Sequence, residues 1–181
     1  MGKDTPRIAI VGAGPGGLAT ALAFHKIGWH VSLFERYPEI KPAGNILNLW
    51  PPPQKVLGIL GVDIEDLGAA SITQLRRFDG HKRADFVIPD DVVAEYNGGF
   101  IGLLRWGLYK RMIDALPDGV LQLNHVCTAI DDRGRDVVLS LEGRPDHVAD
   151  VVVGSDGIDS TVRRLLWGDT PKRPHRIHLV A

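Results

Sequence analysis

The stretch from Arg7 to Glu35 limits what this chain can fold into more than any other. Ile8-Ala9-Ile10-Val11 is a short apolar, largely β-branched run, the pattern of a parallel strand buried on both faces. It breaks at once into Gly12-Ala13-Gly14-Pro15-Gly16-Gly17, which has the G-x-G-x-x-G spacing. Leu18 to Ile27 is rich in Ala and Leu and holds no breaker, so it predicts a helix, and Gly28 stops it. Val31-Ser32-Leu33-Phe34 reads as a second strand, with Glu35 at its end. Strand, helix and strand in this order make a complete βαβ unit.

Each part of that unit has a physical role. Gly12 allows the tight turn out of the strand, Gly14 lets a pyrophosphate approach the backbone, and Gly17 lets the helix pack close to the strand. The helix N-terminus offers free N–H groups and the positive end of a dipole to the phosphates. Glu35 lies about 20 residues further on, where an acid meets a ribose 2′-OH. A carboxylate there repels a 2′-phosphate, although Arg36 beside it softens that argument. The fingerprint alone does not separate FAD from NAD. A glycine turn with no ligand is the bland alternative, weakened here because strand, helix and distant acid are all present.

Bulk properties bound the remaining choices. A chain of 181 residues makes one domain, or one and part of another. A hydrophobic share of 44% supplies a sizeable core, and a formal net charge of −1 favours neither nucleic acid nor an acidic membrane as partner. Cys127 is the single cysteine, so no internal disulfide forms, and a reducing compartment fits. The apolar run at residues 8–12 is far too short to span a bilayer, and no signal peptide is visible. The expectation is a soluble, cytoplasmic protein.

Beyond Glu35, residues 36–45 form a turn-rich loop, and Ile46 to Leu49 is a brief extended piece. Pro51-Pro52-Pro53 opens a helix over Gln54 to Leu60, and Ile64 to Leu67 adds another helical turn. Ser71 to Phe78 and Arg83 to Ile88, joined by Asp79-Gly80, read as a hairpin outside the parallel sheet. Phe100 to Leu104 is apolar, and Leu108 to Leu116 has helical period. Leu121 to Ile130, Asp136 to Leu141 and Val148 to Val153 then predict a three-stranded antiparallel meander. The last strand runs into Gly154-Ser155-Asp156-Gly157, after which Asp159 or Ser160 caps a helix ending near Trp167.

Gly154-x-Asp156-Gly157-x-x-Ser160-x-Val162-Arg163, taken with Gly12, Gly14, Gly17, Glu35 and Arg105 before a helix, resembles the class A FAD-dependent monooxygenases of the para-hydroxybenzoate hydroxylase type. The resemblance runs from Ile8 to Arg164. It implies an α/β fold: a Rossmann-like FAD-binding βαβ with a parallel sheet, the meander, and the beginning of a substrate-domain β-sheet. On that pattern residues 1–70 are the FAD-binding βαβ and following helix, 71–100 the substrate-domain hairpin, and 101–181 a return to the FAD-binding domain.

The resemblance also implies roles. Gly12, Gly14, Pro15, Gly16 and Gly17 would hold the FAD pyrophosphate, with Glu35, and Arg36 next to it, at the adenosine ribose. Gly44 would lie near the isoalloxazine, Arg105 would contact the flavin, and Asp156 and Gly157 would serve both FAD and NAD(P)H. The implied reaction consumes NAD(P)H and O₂ and hydroxylates a small aromatic substrate. The bland alternatives are a surface cation at Arg105 and a helix-capping turn residue at Asp156.

The chain departs from the family in one large respect. Members continue well past the position of Arg164 and carry a second Gly-Asp motif, whereas Gly168-Asp169 lies too close to the first motif and at a helix end. The expectation is therefore a fragment, half of a split enzyme with a complementary C-terminal chain or a homo-oligomer, or a shortened relative. A non-catalytic flavin- or partner-binding subunit and an NAD-dependent dehydrogenase are the other readings.

Other chemistry is thinly supported. The seven histidines form no H-E-x-x-H pattern, and His175 and His178 sit in a basic tail. Ser155 lies outside any G-x-S-x-G elbow, and Cys127 reads as core. Phe78, Phe86, Tyr96, Phe100 and Trp106 would wall a ring-binding pocket or simply pack.

Overall fold

A computed structural model describes residues 5–40, 46–70, 73–76, 79–86, 89–95 and 99–169. The chain opens with β1 (Arg7–Val11), α1 (Pro15–Lys26) and β2 (His30–Phe34), the βαβ unit expected from the sequence. There follow β3 (Ile46–Leu49), α2 (Pro51–Ile59), β4 (Gly68–Ala70), β5 (Thr73–Arg76), β6 (Lys82–Phe86) and α3 (Asp90–Glu95). Next come β7 (Ile101–Leu104), α4 (Arg105–Asp114), β8 (Leu121–Gln122), β9 (Cys127–Asp132) and β10 (Val137–Leu141). The chain then completes β11 (His147–Ala149), β12 (Val151–Gly154) and α5 (Thr161–Trp167).

The parallel sheet has the order β12-β1-β2-β8. β1 is central, with Ile8–Val11 in register with Val151–Gly154 on one side and with Val31–Phe34 on the other. Its side chains alternate between two cores, as strand geometry requires. Ile8 and Ile10 join Leu18, Leu22, Leu33, Leu108 and Met112 beneath α1 and α4. Ala9 and Val11 join Phe34, Leu139, Leu141 and Val162 on the other face. Burial on both faces explains why this strand reads as a continuous apolar run rather than an alternating one.

α1 begins on Pro15, whose missing N–H costs nothing in a first turn. Its buried residues Gly17, Leu18, Ala21 and Leu22 recur at helical spacing and face the sheet. α4 follows β7 without a loop and turns Leu108, Tyr109 and Met112 inward. Arg111 ties it to the segment after α2, 2.6 Å from the Asp66 carboxylate.

Three expectations are corrected. The strand expected over Leu121 to Ile130 is two: Leu121–Gln122 pairs with β2, Asn124 turns the chain at φ +58°, and Cys127–Asp132 starts the meander β11-β10-β9. The strand expected over Val148 to Val153 breaks at Asp150, so its first half closes the meander and its second half joins β1. Asp150 makes that break because its carboxylate accepts from the Arg7 amide at 2.7 Å and from the Arg7 guanidinium at 2.8 Å. Ile64 to Leu67 is a turn closed by Leu67 N–H donating to the Ile64 carbonyl, not a helix.

β3, β7 and β4 form a separate antiparallel sheet, and β5 and β6 pair as the expected hairpin, apart from the parallel sheet. Ser71, Ile72, Arg77, Phe78, Val87 and Ile88 of that hairpin lie outside the described residues. α3 was not foreseen.

Candidate nucleotide-binding cleft

β1, β2 and β12 run parallel, so all three end on the same edge of the sheet. The chain leaves β1 for β2 on one side, while β12 arrives on the other. A crevice at such a switch point is where open α/β sheets bind ligands. A cleft of about 370 Å³ opens there, lined by the ends of all three strands. It brings together Gly12, Gly14, Glu35, Arg36, Asp156 and Gly157 of the residues singled out from the sequence.

The two glycine motifs are one packed unit. Gly12 has φ +100°, and a Cβ there would lie 2.6 Å from the Ser155 carbonyl oxygen and 2.7 Å from Asp156 Cα. Gly12 therefore gives more than a turn; it makes room for the backbone of the second motif. Ser155 N–H donates to the Val11 carbonyl at 2.7 Å and fastens that motif to the end of β1. A Cβ at Gly17 would lie 1.9 Å from the Gly12 carbonyl oxygen, which is the close helix–strand approach expected from the fingerprint. Gly14 is different. Its backbone is extended, with φ −68° and ψ 178°, and a Cβ there meets nothing within 4 Å. Glycine at this position is required by neither the fold nor the dihedrals, and the open space it leaves lies in the cleft.

Glu35 reaches back across the cleft. One carboxylate oxygen accepts from Ala13 N–H at 2.8 Å, and the other accepts from Tyr37 N–H at 3.1 Å. The acid at the end of β2 thus braces the glycine loop and keeps further lone pairs for a ligand. Arg36 lies over the Tyr37 ring at 4.9 Å. The sequence did not single out Tyr37, His125, Cys127 or Ser155 as lining residues, yet all four line the cleft. His125 Nδ1 lies 2.7 Å from the Leu123 carbonyl, to which it donates. Burial pushes the Cys127 thiol up, with the Asp156 carboxylate adding to the effect.

Asp156 is a helix cap. One oxygen accepts from the Ser160 hydroxyl, and the other accepts from Thr161 N–H at 2.6 Å and Val162 N–H at 3.1 Å. Ser160 Oγ in turn accepts from Arg163 N–H at 2.9 Å. These bonds fix the start of α5 at the edge of the cleft.

Pro15 and Gly16 begin α1 beside the cleft without lining it. Arg105 opens α4 and lies outside the lining, but its Nε is buried and has no hydrogen-bond partner among the described residues. Gly44 lies outside the described residues, as do His175 and His178.

A dinucleotide fits what is here. The first-turn amides of α1 have no partners within the helix, the space at Gly14 is open, and the cleft wall carries an acid. The buried Arg105 Nε is a donor waiting for an acceptor. Fold and site together define a Rossmann-type dinucleotide-binding module joined to a second, Gly-Ser-Asp-Gly motif.

Known proteins narrow that class. The chain is 31% identical over 175 residues to 6-hydroxynicotinate 3-monooxygenase of Pseudomonas fluorescens, covering 94% of this chain and 46% of that enzyme. It is 29% identical over 183 residues to a 3-amino-4-hydroxybenzoate 2-monooxygenase of Streptomyces platensis, covering 98% and 46%. Among solved structures, tetrameric 2-methyl-3-hydroxypyridine-5-carboxylic acid oxygenase is 25% identical with a TM-score of 0.77, over 91% of this chain and 43% of that one. Klebsiella pneumoniae HpxO, solved with FAD and uric acid, shares the fold at a TM-score of 0.79. No protein-family model matches. These relatives are FAD-dependent aromatic monooxygenases, and the chain is similar to them over nearly its whole length. It spans a little under half the length of the curated relatives it matches. No described helix is long and apolar enough to cross a membrane.

Proposed function

We propose that this chain holds FAD in the cleft and forms the cofactor-binding part of an NAD(P)H- and O₂-consuming hydroxylase of small aromatic compounds. The observation that carries this is Gly14: a glycine free of every structural demand, opening onto a cleft braced by Glu35. FAD, when bound, supplies the chemistry of accepting reducing equivalents from a nicotinamide and passing one oxygen atom of O₂ to an activated ring.

The chain's own residues bind and orient. The N–H groups of Gly14, Gly16 and Gly17 and the α1 dipole take the pyrophosphate. Glu35 accepts from the ribose hydroxyls, and Arg36 and Tyr37 flank the adenosine end. Arg105 Nε faces the flavin, and residues 71–100 begin the substrate domain. Exposed Trp50, Leu104, Trp106 and Trp167 fit surfaces that a complementary C-terminal segment or a second copy would cover. The isolated 181-residue chain then oxidises NAD(P)H without coupling it to hydroxylation, because the pocket is open to water.

The test is to titrate the purified chain with FAD, record the flavin spectrum, and compare product with NAD(P)H consumed over a panel of phenols and hydroxypyridines. Weak FAD binding with uncoupled oxidation is expected. Failure to bind FAD at all refutes the proposal, and tight FAD with well-coupled hydroxylation by the monomer refutes its account of the missing wall.

A further inference from the structure

β3 and β7 pair antiparallel, so residues opposite each other share one side of the sheet. One side is core: Leu47, Leu49, Ile101 and Leu103 pack in or against the cluster beneath α1 and α4. The other side carries Ile46 opposite Leu104 and Asn48 opposite Gly102. Ile46 is 71% exposed and Leu104 65%, although both are aliphatic. The extended backbone of Trp50 carries the alternation one step further, and its ring meets Phe100 edge-to-face at 5.4 Å between centroids. Trp50 is itself 61% exposed.

The outward side is therefore a strip with apolar ends and a low middle. Ile46 and Leu104 stand at one end and the Trp50–Phe100 pair at the other. Between them Gly102 has no side chain and Asn48 brings an amide. Successive residues on one side of a strand lie about 7 Å apart, so the gap over Gly102 admits one planar ring. The aromatic end is pre-organised. Gln54 Nε2 donates to the Leu49 carbonyl at 3.0 Å and to the Gly99 carbonyl at 2.7 Å, fastening the neighbours of Trp50 and Phe100 to each other. The aliphatic end runs directly into Arg105, whose buried Nε has no partner among the described residues. None of the six residues of the strip is charged, so it suits the face of a ring and not an anionic group.

We infer that this strip is one wall of the substrate pocket. The aromatic ring lies on Leu104 and against the Trp50–Phe100 pair, over the space left by Gly102, and Asn48 bonds the ring hydroxyl. This deepens the proposed hydroxylase reading and rests on it, because Arg105, next to Leu104, is where that reading places the flavin. A segment or second copy covering Trp50 and Leu104 then closes the pocket over the ring.

The test is saturation-transfer NMR on the chain with saturating FAD, using three probes of similar size: 3-hydroxypyridine, 3-methylpyridine and cyclohexanol. Titrating the same signal gives affinities, and each variant is also melted and titrated with FAD. Binding is expected to fall in the order hydroxypyridine, methylpyridine, cyclohexanol. Trp50→Ala and Leu104→Ala are each expected to weaken 3-hydroxypyridine about three- to tenfold, the scale of one ring contact, with FAD affinity unchanged. Leu104 is exposed, so its variant keeps the test decisive if Trp50→Ala fails to fold. Trp50→Phe is expected to recover most of the loss, and Asn48→Leu to bring 3-hydroxypyridine down to 3-methylpyridine. Trp167→Ala, on α5 and off the strip, is expected to change nothing. An equal loss in Trp167→Ala, or cyclohexanol bound as well as the pyridines, overturns the proposal, since the strip is then only apolar surface. Folded, FAD-binding Leu104→Ala with unchanged probe affinity overturns it too, as does the absence of transfer to any probe at millimolar concentration. Failure of the unaltered chain to bind FAD overturns instead the cofactor reading beneath it.

Discussion

Gly14→Val separates binding from folding more cleanly than any other change at this site. The backbone at Gly14 is extended, with φ −68° and ψ 178°, which a β-branched residue adopts without strain. A Cβ there meets nothing within 4 Å, so the folded chain has room for it. Losing a glycine also narrows the unfolded ensemble, worth about 0.4–1 kcal/mol of added stability. For a chain of this size that raises the melting temperature by roughly 1–4 °C. The new side chain stands where backbone must meet phosphate. Pushing the phosphate away forfeits about 1.5–3 kcal/mol for a charge-assisted hydrogen bond. It also forfeits about 0.3–1 kcal/mol of helix-dipole attraction. The sum, roughly 2–4 kcal/mol, is a loss of about 30- to 1,000-fold in affinity.

The contrast is Gly17→Ala, where the added Cβ would lie 1.9 Å from the Gly12 carbonyl oxygen. Relieving that overlap costs about 1–3 kcal/mol as overpacking does, or roughly 2–12 °C in melting temperature. The assays are a thermal melt by circular dichroism and an FAD titration by quenching of flavin fluorescence. Gly14→Val that binds FAD like the unaltered chain, or that unfolds several degrees early, would falsify the reasoning. So would a Gly17→Ala protein of undiminished stability.

Three further outcomes are expected. Glu35→Ala weakens FAD by about 1.5–3 kcal/mol and leaves FMN, which lacks the adenosine, nearly unaffected; equal losses in a titration of both flavins mean that Glu35 acts by bracing Ala13 and not at the ribose. Ser160→Ala removes the acceptor for Arg163 N–H and costs about 1–2 kcal/mol of stability, a drop of roughly 2–8 °C in a melt. His147 titrates below its ordinary value of 6.5 because burial, and then the Arg7 charge, disfavour its protonated form. With the folded value depressed, its contribution is fully present above pH 6.5 and is lost as pH falls, since the unfolded chain then binds the proton more readily. Denaturant melts between pH 7.5 and 5.5 are expected to show this decline, and His147→Gln to flatten it.

The βαβ unit was legible because its signals are local. A β-branched run, a glycine cluster, an Ala- and Leu-rich stretch and a closing acid each announce their own structure within a few residues. The break at Asp150 was not legible, because its cause lies 143 residues away, at Arg7. Taken alone, His147-Val148-Ala149-Asp150-Val151-Val152-Val153 has the composition of one strand, and only the fork from Arg7 turns it from the meander into the parallel sheet. β8 was hidden for a similar reason: two residues pair with β2, and nothing in Leu121-Gln122 marks where the pairing stops. His125 and Cys127 line the cleft through the crossing from β8 to β9, a feature of topology that spacing cannot show. The capping role of Asp156 could be read as an alternative, since an acid followed by Ser160 and an apolar run has the form of a helix start.

The two glycine motifs lie far apart in sequence and looked like two separate features, one for phosphate and one for a shared cofactor role. In the fold each makes the other possible. Gly12 has to be glycine because the Ser155 carbonyl and Asp156 Cα press against it. Ser155 can lie over α1 because Gly16 and Gly17 present no side chains there. Asp156 in turn caps α5, its two oxygens accepting from the Ser160 hydroxyl and from the Thr161 and Val162 amides. The second motif is thus held from both ends, by the bond from Ser155 N–H to the Val11 carbonyl and by the cap on α5. Loss of that cap would loosen the backbone that packs against Gly12, which ties the integrity of α5 to the shape of the cleft.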